Sequence, residues 1–167
     1  ASEQGIAEEM GLLFFDADND NDLDLYIACG GYEFPRNHPS AQDRLYTNNG
    51  KGYFERASSA LPKEFANASC VRAADFDRDG DLDLFILNHK IGFKDSAKFR
   101  LKEQKDGSMK RIKTPETPFE SNRLYRNDGG RFTDVTAIAG LVSSAFGLSA
   151  TPVDIDRDGW LDIYVAN

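Results

Sequence analysis

Short runs of apolar residues recur along the chain, and each is interrupted by a dense block of aspartates. The runs at 12–15, 71–74 and 148–153 lead into such blocks, and runs that begin at Leu23, Leu82 and Leu161 leave them. The leaving runs are short and rich in β-branched and aromatic residues, which predicts strands. Along the first of them Leu23, Leu25 and Ile27 share one face, while Tyr26 and Ala28 fall on the other with Asp24. Apolar residues on both faces predict a sheet covered on both sides. Asn49-Gly50 and Asp128-Gly129 each lie between a Leu-Tyr run and a Phe, which predicts hairpins. One repeat thus holds about four strands: one into the aspartate block, one out of it, and a hairpin.

The repeat has a defined register. The pattern D-x-D-x-D-[GN]-x-L-D-[LI]-[YF]-[IV] fits 16–27, 75–86 and 154–165. A second pattern, from Arg44 through Leu45, Tyr46 and Asn48 to Phe54, returns from Arg123 through Leu124, Tyr125 and Asn127 to Phe132 with one gap. Arg44 precedes Asp75 by 31 residues, and Arg123 precedes Asp154 by the same 31. The period is 59, and the second copy carries 20 extra residues. At roughly 6% Asp, four fixed aspartates recur by chance about once in 10⁵ starting points, so composition does not explain three copies. Four-stranded sheets that each need neighbours on both faces describe propeller blades. The expected fold is all-β, with four-stranded antiparallel blades of a β-propeller. The expected organisation is a repeat tail at 1–10, a repeat at 11–70, a repeat at 71–147 with an insertion at 90–121, and a partial repeat at 148–167.

Charge sharpens this picture. The 167 residues carry 28 Asp and Glu against 20 Lys and Arg, a formal net charge of −8. An acidic chain lacks the basic face that nucleic-acid backbone requires. The uncharged stretch at 137–153 is near the lower limit for a spanning helix, but Gly140, Gly147 and Pro152 read as strand and turn, so no membrane insertion is expected. Cys29 and Cys70 permit one disulfide or two buried thiols, and both stay open. Asn67-Ala68-Ser69 is a lone glycosylation sequon. Between Lys90 and Lys113 stand nine Lys or Arg and three acids. That segment reads as a hairpin about Asp106-Gly107, with Pro115 and Pro118 marking its return. It is either a solvated decoration or a basic contact for an acidic partner such as a sulfated or uronic-acid glycan.

The candidate chemistry lies in the aspartates. Of 19 Asp, 14 fall inside the three windows. Such crowding is costly unless something positive neutralises it. Calcium takes 6–8 oxygens from carboxylates, carbonyls and water. Positions one, three and five of each loop can point inward: Asp16, Asp18 and Asp20; Asp75, Asp77 and Asp79; Asp154, Asp156 and Asp158. Position six needs a left-handed turn, met by Asn21, Gly80 and Gly159. Position seven, held by Asp22, Asp81 and Trp160, is expected to offer its backbone carbonyl, since an indole is no calcium ligand. Asp24, Asp83 and Asp162 at position nine close the shell. An EF-hand would need Glu at position twelve, where Ile27, Ile86 and Val165 stand. Zinc would want clustered His or Cys. Up to three Ca²⁺ are expected, with Mg²⁺ the poorer fit, and three would move the net charge from −8 to −2.

These loops, with Leu-Tyr-x-Asn-x-Gly-x-x-Phe hairpins between them, resemble FG-GAP/VCBS repeats, the calcium-bearing blades of integrin α-chain-like propellers. The stretch from Phe132 through Thr136 and Gly140 to Leu141 most resembles the subgroup that carries ASPIC/UnbV domains, which includes the cartilage acidic protein type. Ser2 to Ile6 resembles the tail of a preceding repeat. Asn21 departs from the family's Gly. A seven-bladed propeller of this period needs about 400 residues, so a fragment of about two and a half blades is expected. Its exposed blade edges would allow self-association. The resemblance implies a calcium-stabilised, non-enzymatic segment of a secreted or cell-surface protein, extracellular or periplasmic, serving adhesion or recognition of a protein or glycan ligand. The alternative is a calcium-dependent enzyme acting on anionic polysaccharide. His38 and His89 are the only histidines, and neither sits in a recognisable acid–base setting. A calcium sensor would need a bistable element that short β-loops do not offer.

Overall fold

The computed structural model describes residues 8–31, 38–89, 99–113, 121–142 and 147–166. The expected tail before residue 8, and Pro115 and Pro118, lie outside them. The first sheet is a meander of β1 (Glu8–Phe15), β2 (Asp24–Gly30), β3 (Arg44–Asn48) and β4 (Phe54–Arg56), all antiparallel. The second uses β5 (Ala68–Ala74), β6 (Asp83–Asn88), β9 (Arg123–Asn127) and β10 (Phe132–Asp134) in the same order. Between its second and third strands the chain runs out into a separate hairpin, β7 (Phe99–Glu103) and β8 (Met109–Lys113), which is the basic insertion. A last pair, β11 (Ser149–Val153) and β12 (Asp162–Ala166), repeats the first two strands of a blade. The all-β blade architecture expected from the repeat is therefore present. Even the irregularities repeat, because the register of β1 on β2 slips between Glu9 and Gly11 and that of β5 on β6 slips at the equivalent place, between Ala68 and Cys70. Each slip lets a strand twist while it keeps its faces.

Apolar residues on both faces of the exit strands are the reason that the sheets stack. Tyr26, Ala28 and Leu45 of the first sheet pack against Ala68, Val71, Leu84, Ile86 and Tyr125 of the second, with Phe15 edge-on to Phe132 at 6.2 Å. The opposite face of the second sheet, with Phe85, Leu87 and Leu124, packs on Ala150, Ile163 and Val165 of the last strand pair. Fully burying one such side chain contributes about 1.5–3 kcal/mol. The outward face of the first sheet leaves Leu12, Phe14 and Leu23 exposed. No helix among the described residues is long and apolar enough to cross a membrane. Cys29 and Cys70 are both free thiols, and Asn67 of the sequon is buried.

One polar residue in this packing sets a pH dependence. Asp43 accepts the N–H of Cys29 at 2.7 Å and the hydroxyl of Tyr26. The second sheet puts Asn122 at the equivalent place, where it accepts the N–H of Asn88 at 3.0 Å. Burial pushes the Asp43 carboxyl up to about 7 against the opposing pull of those donors and of Arg44, with Glu64 adding to the rise. The unfolded chain ionises this group near 4. Its contribution to stability is therefore complete below about pH 4 and is lost as the pH rises through about 7. Asp43→Asn keeps the acceptor for Cys29 and removes the charge. Its Tm should exceed that of the parent by about 3 °C at pH 8, with a smaller gain at pH 5. Thermal unfolding at the two pH values measures this, and a gain that does not shrink at pH 5 contradicts it.

Candidate metal centres

Each aspartate loop connects the first two strands of a blade, so its geometry is set at both ends by a paired ladder. Inside the loop, residues four and six adopt left-handed backbone: Asn19 and Asn21 (φ 61° and 69°), Arg78 and Gly80 (65° and 99°), Arg157 and Gly159 (65° and 88°). The sequence marks position six. It gives little sign of position four, where arginine bears a conformation that costs an L-residue about 1–2 kcal/mol. The two kinks turn successive N–H groups inward onto the first aspartate. Asp75 accepts from Arg78 at 2.6 Å and from Gly80 at 3.2 Å, and Asp154 accepts from Arg157 at 2.7 Å and Gly159 at 3.0 Å. Asp16 accepts from positions five and six instead, Asp20 at 3.2 Å and Asn21 at 2.9 Å.

Three carboxylates then converge in every loop. Asp16, Asp18 and Asp24 place one oxygen each within 4.8 Å of one another, as do Asp75, Asp77 and Asp83, and Asp154, Asp156 and Asp158's later neighbour Asp162. Burial, followed by the charge of Asp24, pushes the Asp18 carboxyl above its ordinary range. Burial followed by the charge of Asp79 does the same to Asp77, and burial raises Asp83 against the N–H groups of Asn127 and Phe76. Ionised oxygens this close repel, and a hard dication at their centre removes the repulsion. The donor set is all carboxylate oxygen, so it fits calcium in kind. Positions one, three and nine supply the converging atoms.

Positions five and seven are placed differently. The carboxylates of Asp20, Asp79 and Asp158 accept the N–H of the residue two further on, at 2.9, 2.9 and 2.7 Å. These are Asx turns that hold residue seven in place. The side chains at position seven turn away from the converging oxygens. Asp22 lies against Gly50, Asp81 accepts from Gly129 at 2.7 Å, and Trp160 lies under Arg78.

Position nine joins the centre to the rest of the blade. Asp24 is 1% exposed, and its two oxygens accept the N–H of Ala17 in the loop and of Asn48 in the hairpin, both at 2.8 Å. Asp83, 2% exposed, accepts in the same way from Phe76 at 3.0 Å and Asn127 at 2.8 Å. The hairpin asparagines complete the lock, because Asn48 donates to Leu23 and Asn127 donates to Leu82 and, across the blade junction, to Ala17. The Asn-Gly and Asp-Gly pairs lie within connections of several residues, with Asn48 and Asn127 accepting from Gly52 and Gly130. The sequence marks these asparagines only as hairpin residues; their recurrence two places after Tyr46 and Tyr125 is the signal of their structural use. The two histidines bond backbone. His38 accepts from Ser40 at 3.2 Å, and His89 meets the carbonyl of Gly147 at 2.8 Å.

The difference between buried and exposed position nine is measurable without metal. In EDTA, Asp83→Ala leaves two N–H groups of the blade interior without their acceptor, at about 1–3 kcal/mol each. Asp162 is exposed and accepts only from Ile155, at 3.1 Å, among the described residues. Chemical denaturation in EDTA should therefore show a loss of about 2–4 kcal/mol for Asp83→Ala and under about 1 kcal/mol for Asp162→Ala. Equal losses would contradict this account of the loop.

No curated protein matches the chain. The sequence profile of the FG-GAP-like repeat matches residues 16–86 and 115–165. Those segments contain all three aspartate loops, both hairpin asparagines and the strands that frame them, and they cover well over half of the chain. The chain belongs to the family of FG-GAP-like repeat proteins.

Proposed function

We propose that this chain is a calcium-stabilised, non-enzymatic propeller segment of a secreted or cell-surface protein, with calcium as a structural ion. The observation that carries the reading is the threefold recurrence of carboxylate oxygens within 4.8 Å of one another at equivalent positions of successive blades. Calcium is preferred to magnesium because a cage of several carboxylates suits its larger and more flexible shell. Position seven adds its backbone carbonyl, since its side chain is engaged elsewhere and its N–H is fixed by position five. Loading couples to folding, because each loop joins the first two strands of a blade.

Adhesion or recognition of a protein or glycan ligand is the role that family membership supports best. The ligand surface lies away from the ions, on blade loops or on the basic hairpin, where Lys102, Lys105 and Lys110 are exposed. The engagement of both histidines with backbone supports a binding role over catalysis. The resemblance of 132–141 to the ASPIC/UnbV-associated subgroup narrows the kinship, and the exposed outer face of the first sheet supports self-association.

Thermal unfolding in EDTA, in millimolar Ca²⁺ and in millimolar Mg²⁺ tests the reading. A site held at a hundred times its dissociation constant adds about 2.7 kcal/mol. Calcium should raise Tm by about 5 °C or more, magnesium by much less, and Asp77→Ala should lose part of the calcium gain. An equal Tm in all three solutions would overturn the calcium assignment.

A further inference from the structure

Residue four of one aspartate loop reaches residue seven of the next, and it does so at both junctions. Asn19 of the first loop donates its side-chain amide to Asp81 of the second. Arg78 of the second loop lies over the ring of Trp160 of the third, 4.5 Å from its centre. The chemistry differs, an amide on a carboxylate in one case and a cation on an indole in the other, but the positions are the same. The arrangement therefore belongs to the repeat. Gly159 is part of it: its position six carries a left-handed φ of 88°, and any side chain there would run into the guanidinium of Arg78.

Both partners in each contact are fixed by the loops they come from. Asn19 stands between Asp18 and Asp20, and Arg78 between Asp77 and Asp79, so each can reach across only while its own loop holds the left-handed kink at position four. At the receiving end, Asp81 and Trp160 have their N–H groups bound by Asp79 and Asp158, and their carbonyls face the ion in the reading above. Asp81 is also clamped by the N–H of Gly129 at 2.7 Å.

We infer that Asn19 and Arg78, which are not ligands, are positioning residues for the metal site of the following repeat and couple occupancy of adjacent sites. The inference rests on the calcium reading proposed above. An ion in the second loop fixes Asp77 and also Asp75, which accepts the N–H of Arg78; Arg78 holds Trp160, and the carbonyl of Trp160 is thereby set for the third site. The coupling is reciprocal, as any linkage of two binding equilibria must be. An exposed cation–π contact corresponds to about a two- to fivefold change in affinity.

Trp160 is the only tryptophan, so its fluorescence reports the third loop. Calcium titration of the intact chain should give a Trp160 transition that Asp156→Ala abolishes. Asp77→Ala, which damages the second site alone, should shift the midpoint of that transition to about two- to fivefold higher calcium. Arg78→Lys keeps the charge and every ligand but loses the planar stack, and should shift it by a similar factor. The double variant should shift it no further than either single one, because both act through the same contact. An unchanged midpoint in Asp77→Ala, or shifts that multiply in the double variant, would overturn the coupling while leaving calcium binding intact. A wild-type Trp160 signal that ignores calcium, together with no calcium retained on dialysis, would overturn the calcium reading and the coupling with it.

Discussion

The crowding of carboxylates at the turn between the first two strands is the constraint from which the blade is built. Three ionised oxygens within 4.8 Å of one another are unfavourable, yet the chain creates this arrangement three times. Part of the charge is met by the backbone, since the kinks at the left-handed residues aim two N–H groups per loop at the first aspartate. Part is met by the ninth residue, which gives its oxygens to N–H groups of the loop and of the neighbouring hairpin. What remains is a negative pocket of hard oxygen donors that could hold a metal ion. The loop, the strands it joins and the hairpin are thus tied at a single carboxylate, Asp24 or Asp83, and that residue is buried for this reason.

Much of this was legible in the sequence because its causes are local. The aspartate register, the left-handed residue six and the alternation on the exit strands depend on near neighbours, and they located the loops and the two-sided burial of Tyr26 and Leu84. The insertion was legible as a hairpin from its Asp-Gly turn, although its return through Pro115 and Pro118 lies outside the described residues. Other features depend on partners distant in sequence. Nothing near Arg78 marks it as left-handed, and its stacking on Trp160 requires knowledge that successive blades lie side by side. Asn127 reads as a hairpin residue until its amide is found on the carbonyl of Ala17, 110 residues away. The fifth aspartates look like the third, and both accept the N–H two residues on, but only the third converge with the first and ninth, a difference set by the path of the backbone.

The junctions between blades combine an apolar interior with polar contacts at the loop end. Leu45, Tyr26 and Val71 fill the space between the first two sheets, and Phe15 with Phe132 closes it near the loops. At that end Asn127 bonds across to Ala17, and the side chains of Asn19 and Asp81 meet. Apolar packing alone tolerates sliding, whereas directional bonds at one end fix the register of neighbouring blades. The acidic loops are therefore placed where they bear on the assembly of blades as well as on the turn within each one.

The central claim is that the three loops are calcium sites, and counting ions tests it most directly. Native mass spectrometry of the intact chain, exchanged into dilute calcium with magnesium in excess, should show up to three Ca²⁺ per chain, all removed by EDTA. Asp18→Ala, Asp77→Ala and Asp156→Ala should each reduce the count by one. A chain that carries no calcium under these conditions, or that takes magnesium in its place, would contradict the account.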